Sequence, residues 1–328
     1  MGKIADALSR FTDPISKLIT TTSDAIGEVY KPLGVRRMAK AKAFELQTVA
    51  EAMSNNLNLP AQYSDGKITI DAQSFEELSK RAGSRLIFQE LRKQQNIEAV
   101  VEAAKDELEK EQSVSDEPVD TDWTIRFFNS VEDIGNKELQ KLWGKILAGE
   151  VKQPGSFSLR SLVTLSNITQ HEASLFDKIA KFCVYIGDVY FVGADKGLLE
   201  KYGFTQAELI QLSECGLIML TPLSIEVYVK EMRHTAIYCE GLIVIFERTD
   251  KDITVGLSIY KLTGSGAELY RTIKKTSNEQ YLLDYFAKMK SAYPTVRITA
   301  HRITSIAYNG DINFERDMDL LSPKSAGS

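Results

Sequence analysis

Residues 253–269, ITVGLSIYKLTGSGAEL, hold the clearest structural signal in the chain. Ile253, Val255, Leu257 and Ile259 alternate with polar or small residues, the two-residue period of a strand with one buried face. The period stops at Leu262-Thr263, and a helix is predicted over 267–275. Further strands are read at 241–247 (GLIVIFE), 226–230 (EVYVK) and 296–300 (VRITA). Between them, Thr205 and Glu208 form a capping box for a helix ending at Gly216, and another helix is predicted over 279–289. Residues 185–322 are therefore α+β, and the small polar tail 323–328 is expected to fray.

Residues 207–219 (AELIQLSECGLIM) and 260–269 (YKLTGSGAEL) together resemble a winged-helix domain. A helix ends at a glycine, Leu217-Ile218 starts a strand, and Leu262, Thr263, Gly266 and Leu269 close a wing and open the last helix. The resemblance implies a winged-helix-like domain, a fold used for nucleic-acid and for protein recognition. Arg271, Lys274, Lys275, Arg297 and Arg302 are the candidate phosphate contacts.

Upstream the period changes from two to between three and four. Trp123, Phe127, Val131 and Ile134 stripe one predicted helix, and Leu139, Leu142, Trp143, Ile146 and Leu147 stripe a second that Gly149 is expected to end. A third holds Leu159, Leu162, Val163 and Leu165, and a capping box of Thr169 and Glu172 opens a fourth. These make a small helical bundle over 113–184. Residues 57–112 read as a connector followed by long helices, with a capping box at Ser74 and Glu77 and a break at the polar run 92–96.

Residues 1–56 read as an amphipathic helical hairpin. Asp13-Pro14 is a helix start, and Ile15, Leu18, Ile19 and Ile26 then fall on one face. Lys31, Arg36, Arg37 and Lys40 follow at the start of the next helix. An apolar face beside clustered cations suits a core or oligomer contact, a peripheral membrane contact, or nucleic acid. The fold class expected is thus mixed and helix-rich: hairpin, long helices and bundle, then the α+β winged-helix-like domain.

Little in the chain points to catalysis. His171, His234 and His301 share no motif, and no HExxH or CxxC occurs. The TGSG turn at 263–266 sits where a phosphate loop could, but Leu269 replaces the third glycine of GxGxxG, and the glycines read as a sharp turn into a capped helix. Three dispersed cysteines fit a reducing compartment. No secretory signal is read in residues 1–11, and the longest apolar run, 236–246, is too short to span a bilayer. A net charge of −5 argues against polyanion binding by bulk charge. No catalytic residue, metal or cofactor is expected.

The stretches WGKILAGE (143–150), PGSFSLR (154–160) and ITQHEA (168–173), with DEPVD (116–120), resemble the bacterial family called domain of unknown function 2806, over roughly residues 13–270. The middle segment and the start DPISKLI are more distantly similar to the abortive-infection alpha family. That second resemblance implies a part in antiphage defence without a reaction to carry over. The expectation is a non-enzymatic, cytoplasmic interaction protein that binds a protein partner or itself, with peripheral contact at the inner membrane. The alternative is a winged-helix nucleic-acid-binding regulator.

Overall fold

The computed structural model describes residues 11–26, 63–64, 67–68, 72–230, 234–247, 251–273, 276–306 and 312–322. The chain is mixed α+β, with ten helices and an eight-stranded antiparallel sheet among the described residues. It forms two compact units, Met1–Leu162 and Val163–Ser328. Residues 113–184, read from sequence as one bundle, straddle that division. No described helix is long and apolar enough to cross a membrane.

The first unit holds β1 (Phe11–Thr12), α1 (Pro14–Ile26), β2 (Tyr63–Ser64), β3 (Lys67–Ile68), α2 (Ala72–Leu108), β4 (Val114–Ser115), α3 (Thr121–Val131) and α4 (Lys137–Lys152). The start of α5 (Leu159–Ser166) also lies in it. Asp13 accepts the Ser16 amide at 2.7 Å, which opens α1 where the sequence predicts. The second helix of the predicted hairpin lies outside the described residues. The core joins Val100, Val101, Ala104 and Leu108 of α2 to Phe127 and Val131 of α3 and to Trp143, Ile146 and Leu147 of α4. Phe127 stacks on Trp123 at 5.0 Å and meets the edge of Trp143 at 5.4 Å.

Two expectations about these helices are corrected. α2 begins at Ala72, ahead of Ser74, and runs unbroken through the polar stretch at 92–96. Those polar groups have partners on neighbouring elements. Lys93 Nζ donates to Glu132 at 2.6 Å, Asn96 donates to the Glu132 carbonyl at 2.8 Å, and Gln140 donates to Asn96 at 3.1 Å. α4 likewise continues past Gly149 to Lys152. A Cβ at Gly149 would sit 2.8 Å from the Phe157 ring, so this glycine makes room for an aromatic side chain instead of ending the helix. Gly144 lets α4 approach α2, because a Cβ there would meet Ala103 at 2.5 Å and the Ala104 backbone at 2.9 Å.

The second unit continues with α6 (Gln170–Ala180), β5 (Val184–Ile186), β6 (Val189–Gly193), α7 (Lys196–Lys201), α8 (Gln206–Glu214), β7 (Leu223–Val229), β8 (His234–Cys239), β9 (Leu242–Glu247) and β10 (Ile253–Lys261). Then come α9 (Gly264–Tyr270), α10 (Glu279–Ala292), β11 (Arg297–Ile306) and β12 (Ile312–Phe314). The strand order is β12-β11-β9-β8-β5-β6-β10-β7. Both predicted capping boxes, at Thr169 and Thr205, are present. The alternation at 253–259 pairs throughout with β7. α10 covers one face of the sheet with Tyr281, Leu282, Tyr285 and Phe286, all buried. Gly193 is required there, since the Tyr285 ring fills its Cβ space. The TGSG turn opens α9 with Thr263 accepting the Gly266 amide at 3.0 Å, and a Cβ on Gly266 would strike the Leu217 carbonyl. α9 starts three residues earlier than predicted.

Gly144→Ala tests the helix contact. Alanine favours an isolated helix by about 1 kcal/mol, but overpacking against backbone costs about 1–3 kcal/mol. A net loss of up to about 2 kcal/mol is expected in urea denaturation. A second test uses Asp284 on α10, whose carboxyl is held below the usual carboxylate range by Lys201 and then by Tyr202, whose hydroxyl donates at 2.8 Å. A folded value lower than the unfolded one gives stability that is present above about pH 4 and lost as pH falls through the folded value. The acid-side fall in unfolding free energy is therefore expected to shrink in Asp284→Asn.

Candidate functional site

Among the described residues His171 and His301 stand on different elements, while Cys183 and Cys239 both lie near Tyr270. His171 is exposed on α6, while His301 is buried on β11. Its Nδ1 lies 3.0 Å and 2.9 Å from the Glu315 and Met318 carbonyls, and its Nε2 is 2.9 Å from the Thr299 hydroxyl. The side chain of His234 lies outside the described residues. Burial pushes the Cys183 thiol far up and that of Cys239 up to about 12. Cys215 also rises to about 12, through burial and then the Glu172 carboxylate. These thiols stay protonated at neutral pH and are poor nucleophiles. Among the described residues no group of three or more His, Cys, Asp or Glu could hold a metal ion.

The structure divides the N-terminal contact candidates. Leu18 is buried in the first unit, while Ile15, Ile19 and Ile26 are half-buried. Leu18 is therefore part of the core of that unit. Lys31, Arg36, Arg37 and Lys40 lie outside the described residues. The buried face of α1 consists of Pro14, Lys17, Leu18, Thr21 and Thr22, a more polar set than the apolar stripe expected. Lys17 donates to the Ser115 carbonyl at 2.8 Å. Burial lowers its pKa, while Asp116, Glu117 and Glu150 oppose that shift. A cleft of about 270 Å³ opens beside it, lined in part by Thr20, Thr21, Asp24, Asp116 and Thr121. Sequence reading missed Lys17 because it weighed only apolar residues; the three-residue step from Pro14 and four-residue step to Thr21 put it on that face.

The most distinctive motif converges on Glu150. This carboxylate is 1% exposed at the end of α4 and accepts the amides of Gly155 at 2.6 Å and Phe157 at 2.9 Å. It thereby folds the PGSF loop back onto its own helix, with Phe157 seated against Gly149. Beside the loop runs an open groove of about 650 Å³, lined by Pro118, Val119, Trp123, Pro154, Phe157 and Leu159 among others. The Trp123 indole N–H is buried without an acceptor among the described residues.

Of the nucleic-acid candidates, Arg297 and Arg302 lie on opposite faces of one strand and Arg271 lies on another element. Arg271 is exposed at the end of α9, and the side chains of Lys274 and Lys275 lie outside the described residues. Arg297 and Arg302 stand five residues apart on β11, an odd spacing that puts them on opposite faces. Each has an acidic partner: Glu247 at 3.8 Å and Glu279 at 2.6 Å, respectively. On α8, by contrast, Ala207, Ile210 and Glu214 are exposed.

Replacing Glu150 with alanine would strip the acceptor from two loop amides, of which that of Phe157 is buried and that of the exposed Gly155 could turn to water. An unpaired buried group costs about 1–3 kcal/mol, so Glu150→Ala is expected to lose about 1–3 kcal/mol in chemical denaturation. Glu150→Gln, which keeps a carbonyl acceptor, is expected to lose less.

No curated protein and no solved structure matches the chain. A family model described as "Protein of unknown function (DUF2806)" matches residues 80–285, more than half of the chain, and takes in both the Glu150 motif and most of the sheet. The chain belongs to the DUF2806 family.

Proposed function

We propose that this chain is a non-enzymatic interaction protein of bacterial antiphage defence, and that its second unit docks a protein through a winged-helix-like face. The defence role rests only on the sequence likeness to the abortive-infection alpha family. The docking role rests on the arrangement around β10. Along the chain β6, α7, α8 and β7 are followed by β8, β9 and then β10, and β6 and β7 are the two sheet neighbours of β10. The likeness to a winged helix lies in two helices set between strands that flank β10, with α8 taken as the recognition helix; β8 and β9 are additional to that fold.

The chemistry of α8 favours a protein over a nucleic acid. Its sequence, QAELIQLSE, has two glutamates and no lysine or arginine. Phosphate backbones are bound chiefly by cations and would be repelled here. Large apolar side chains are exposed on this part of the unit: Ile210 on α8, Met219 just after it, and Tyr228 on β7 at 63% exposure. Exposed aromatic and apolar side chains with an acidic rim suit a protein interface. The nucleic-acid alternative depends on Arg271, Lys274, Lys275, Arg297 and Arg302, two of which are already ion-paired.

Bacteria expressing the chain are expected to resist phage, measured as plating efficiency. The double variant Ile210→Asp, Tyr228→Ser is expected to fold normally by circular dichroism and to lose about tenfold or more of that resistance. Full resistance in the double variant would contradict the docking role. Salt-dependent binding of duplex DNA by the wild type, weakened by Arg271→Ala, would favour the alternative.

A further inference from the structure

α2 carries a face that is left exposed among the described residues of its unit. The helix is 37 residues long, yet none of residues 77–95 is buried, and burial begins at Asn96. Within that length Ser79, Gly83, Ile87 and Leu91 recur every fourth residue as the half-shielded stripe. On the opposite side, about 150° round the helix, stand Arg81, Arg85, Phe88 and Arg92, all exposed. Their spacing of four, three and four keeps them on one face.

This face is both cationic and apolar. Arg81, Arg85 and Arg92 lie on it, with Glu77 one turn before Arg81, while Lys80, Glu90 and Lys93 lie on other sides of the helix, in a chain whose net charge is −5. Arg81 and Arg85 make no hydrogen bond or ion pair among the described residues. Arg92 has only a loose contact with Asp133 at 3.7 Å. Phe88 is 66% exposed on this face, and Leu78, 56% exposed, lies towards the same side one turn before Arg81.

We propose that the N-terminal half of α2 lies flat on an anionic lipid surface, with Arg81, Arg85 and Arg92 on headgroup phosphates and Phe88 and Leu78 entering the headgroup boundary. The stretch from Arg81 to Arg92 covers about 16 Å of helix. Guanidinium groups pair with phosphate in a two-pronged geometry. A nucleic acid would offer the phosphates but no apolar medium for Phe88 and Leu78, whereas a lipid interface takes up both kinds of side chain. This contact rests on α2 and is separate from the one expected of α1. It uses none of the residues of the protein-docking face, so either can fail alone.

Co-sedimentation of the full chain with vesicles tests this, comparing pure phosphatidylcholine with an equal mixture of phosphatidylcholine and phosphatidylglycerol. The wild type is expected to pellet with the anionic vesicles and not with the neutral ones. Arg81→Gln with Arg85→Gln is expected to weaken binding about thirty-fold. Phe88→Ser is expected to weaken it several-fold, and because all three positions are exposed the variants should keep the wild-type circular dichroism. Failure of the wild type to pellet, or pelleting of the arginine variant to the wild-type extent, would overturn the proposal. So would tight binding of duplex DNA, lost in the arginine variant, without vesicle binding.

Discussion

A carboxylate taken out of water must find donors, and in the first unit that requirement falls on Glu150. Its desolvation is offset by the amides of Gly155 and Phe157. The loop they belong to is thereby held against the end of α4, and Phe157 reaches the space left open by Gly149. Five residues earlier on the same helix, Gly144 sets how closely α4 meets α2. The sequence WGKILAGE followed by PGSF is thus a set of contact instructions: a glycine for helix approach, a glycine for a ring, and a glutamate for a loop. The family match takes in this whole construction.

How much of this could be read in the sequence depends on how local the deciding physics is. The Thr169 and Thr205 capping boxes were legible because a cap is settled within three residues. The strand at 253–259 was legible because one buried face imposes its own period. The unbroken α2 was not, since what rescues its polar stretch is Glu132 and Gln140, about forty residues away in sequence. Nor was the role of Gly149, which looks like a helix stop until Phe157 is seen beside it. Strands β5 and β6 escaped notice because they are only three and five residues long, although they pair with each other as a local hairpin.

The candidate site was legible in the same uneven way. Dispersed histidines and cysteines argued for surfaces over chemistry, and burial of Cys183, Cys239 and His301 is consistent with folding roles. Which surfaces matter could not be read directly. The stripe at Ile15, Leu18 and Ile19 drew attention because it is apolar, yet Leu18 is core and Lys17 shares its buried face. Arg81, Arg85, Phe88 and Arg92 drew none, because a mixed cationic and apolar stripe reads as an ordinary solvated helix until its exposure is known. A modest net negative charge also hid a strongly basic stretch. Charge summed over a chain says little about charge on one helix face.

Amide hydrogen exchange at Gly155 and Phe157 is the most direct measure of whether the motif is built to hold structure. With Glu150 holding the loop, both amides should exchange as slowly as those in the middle of α4, opening only with the unit as a whole. Exchange at the speed of an open surface loop, while α4 stays protected, would mean that the buried carboxylate does not organise this region and that the motif serves some other purpose.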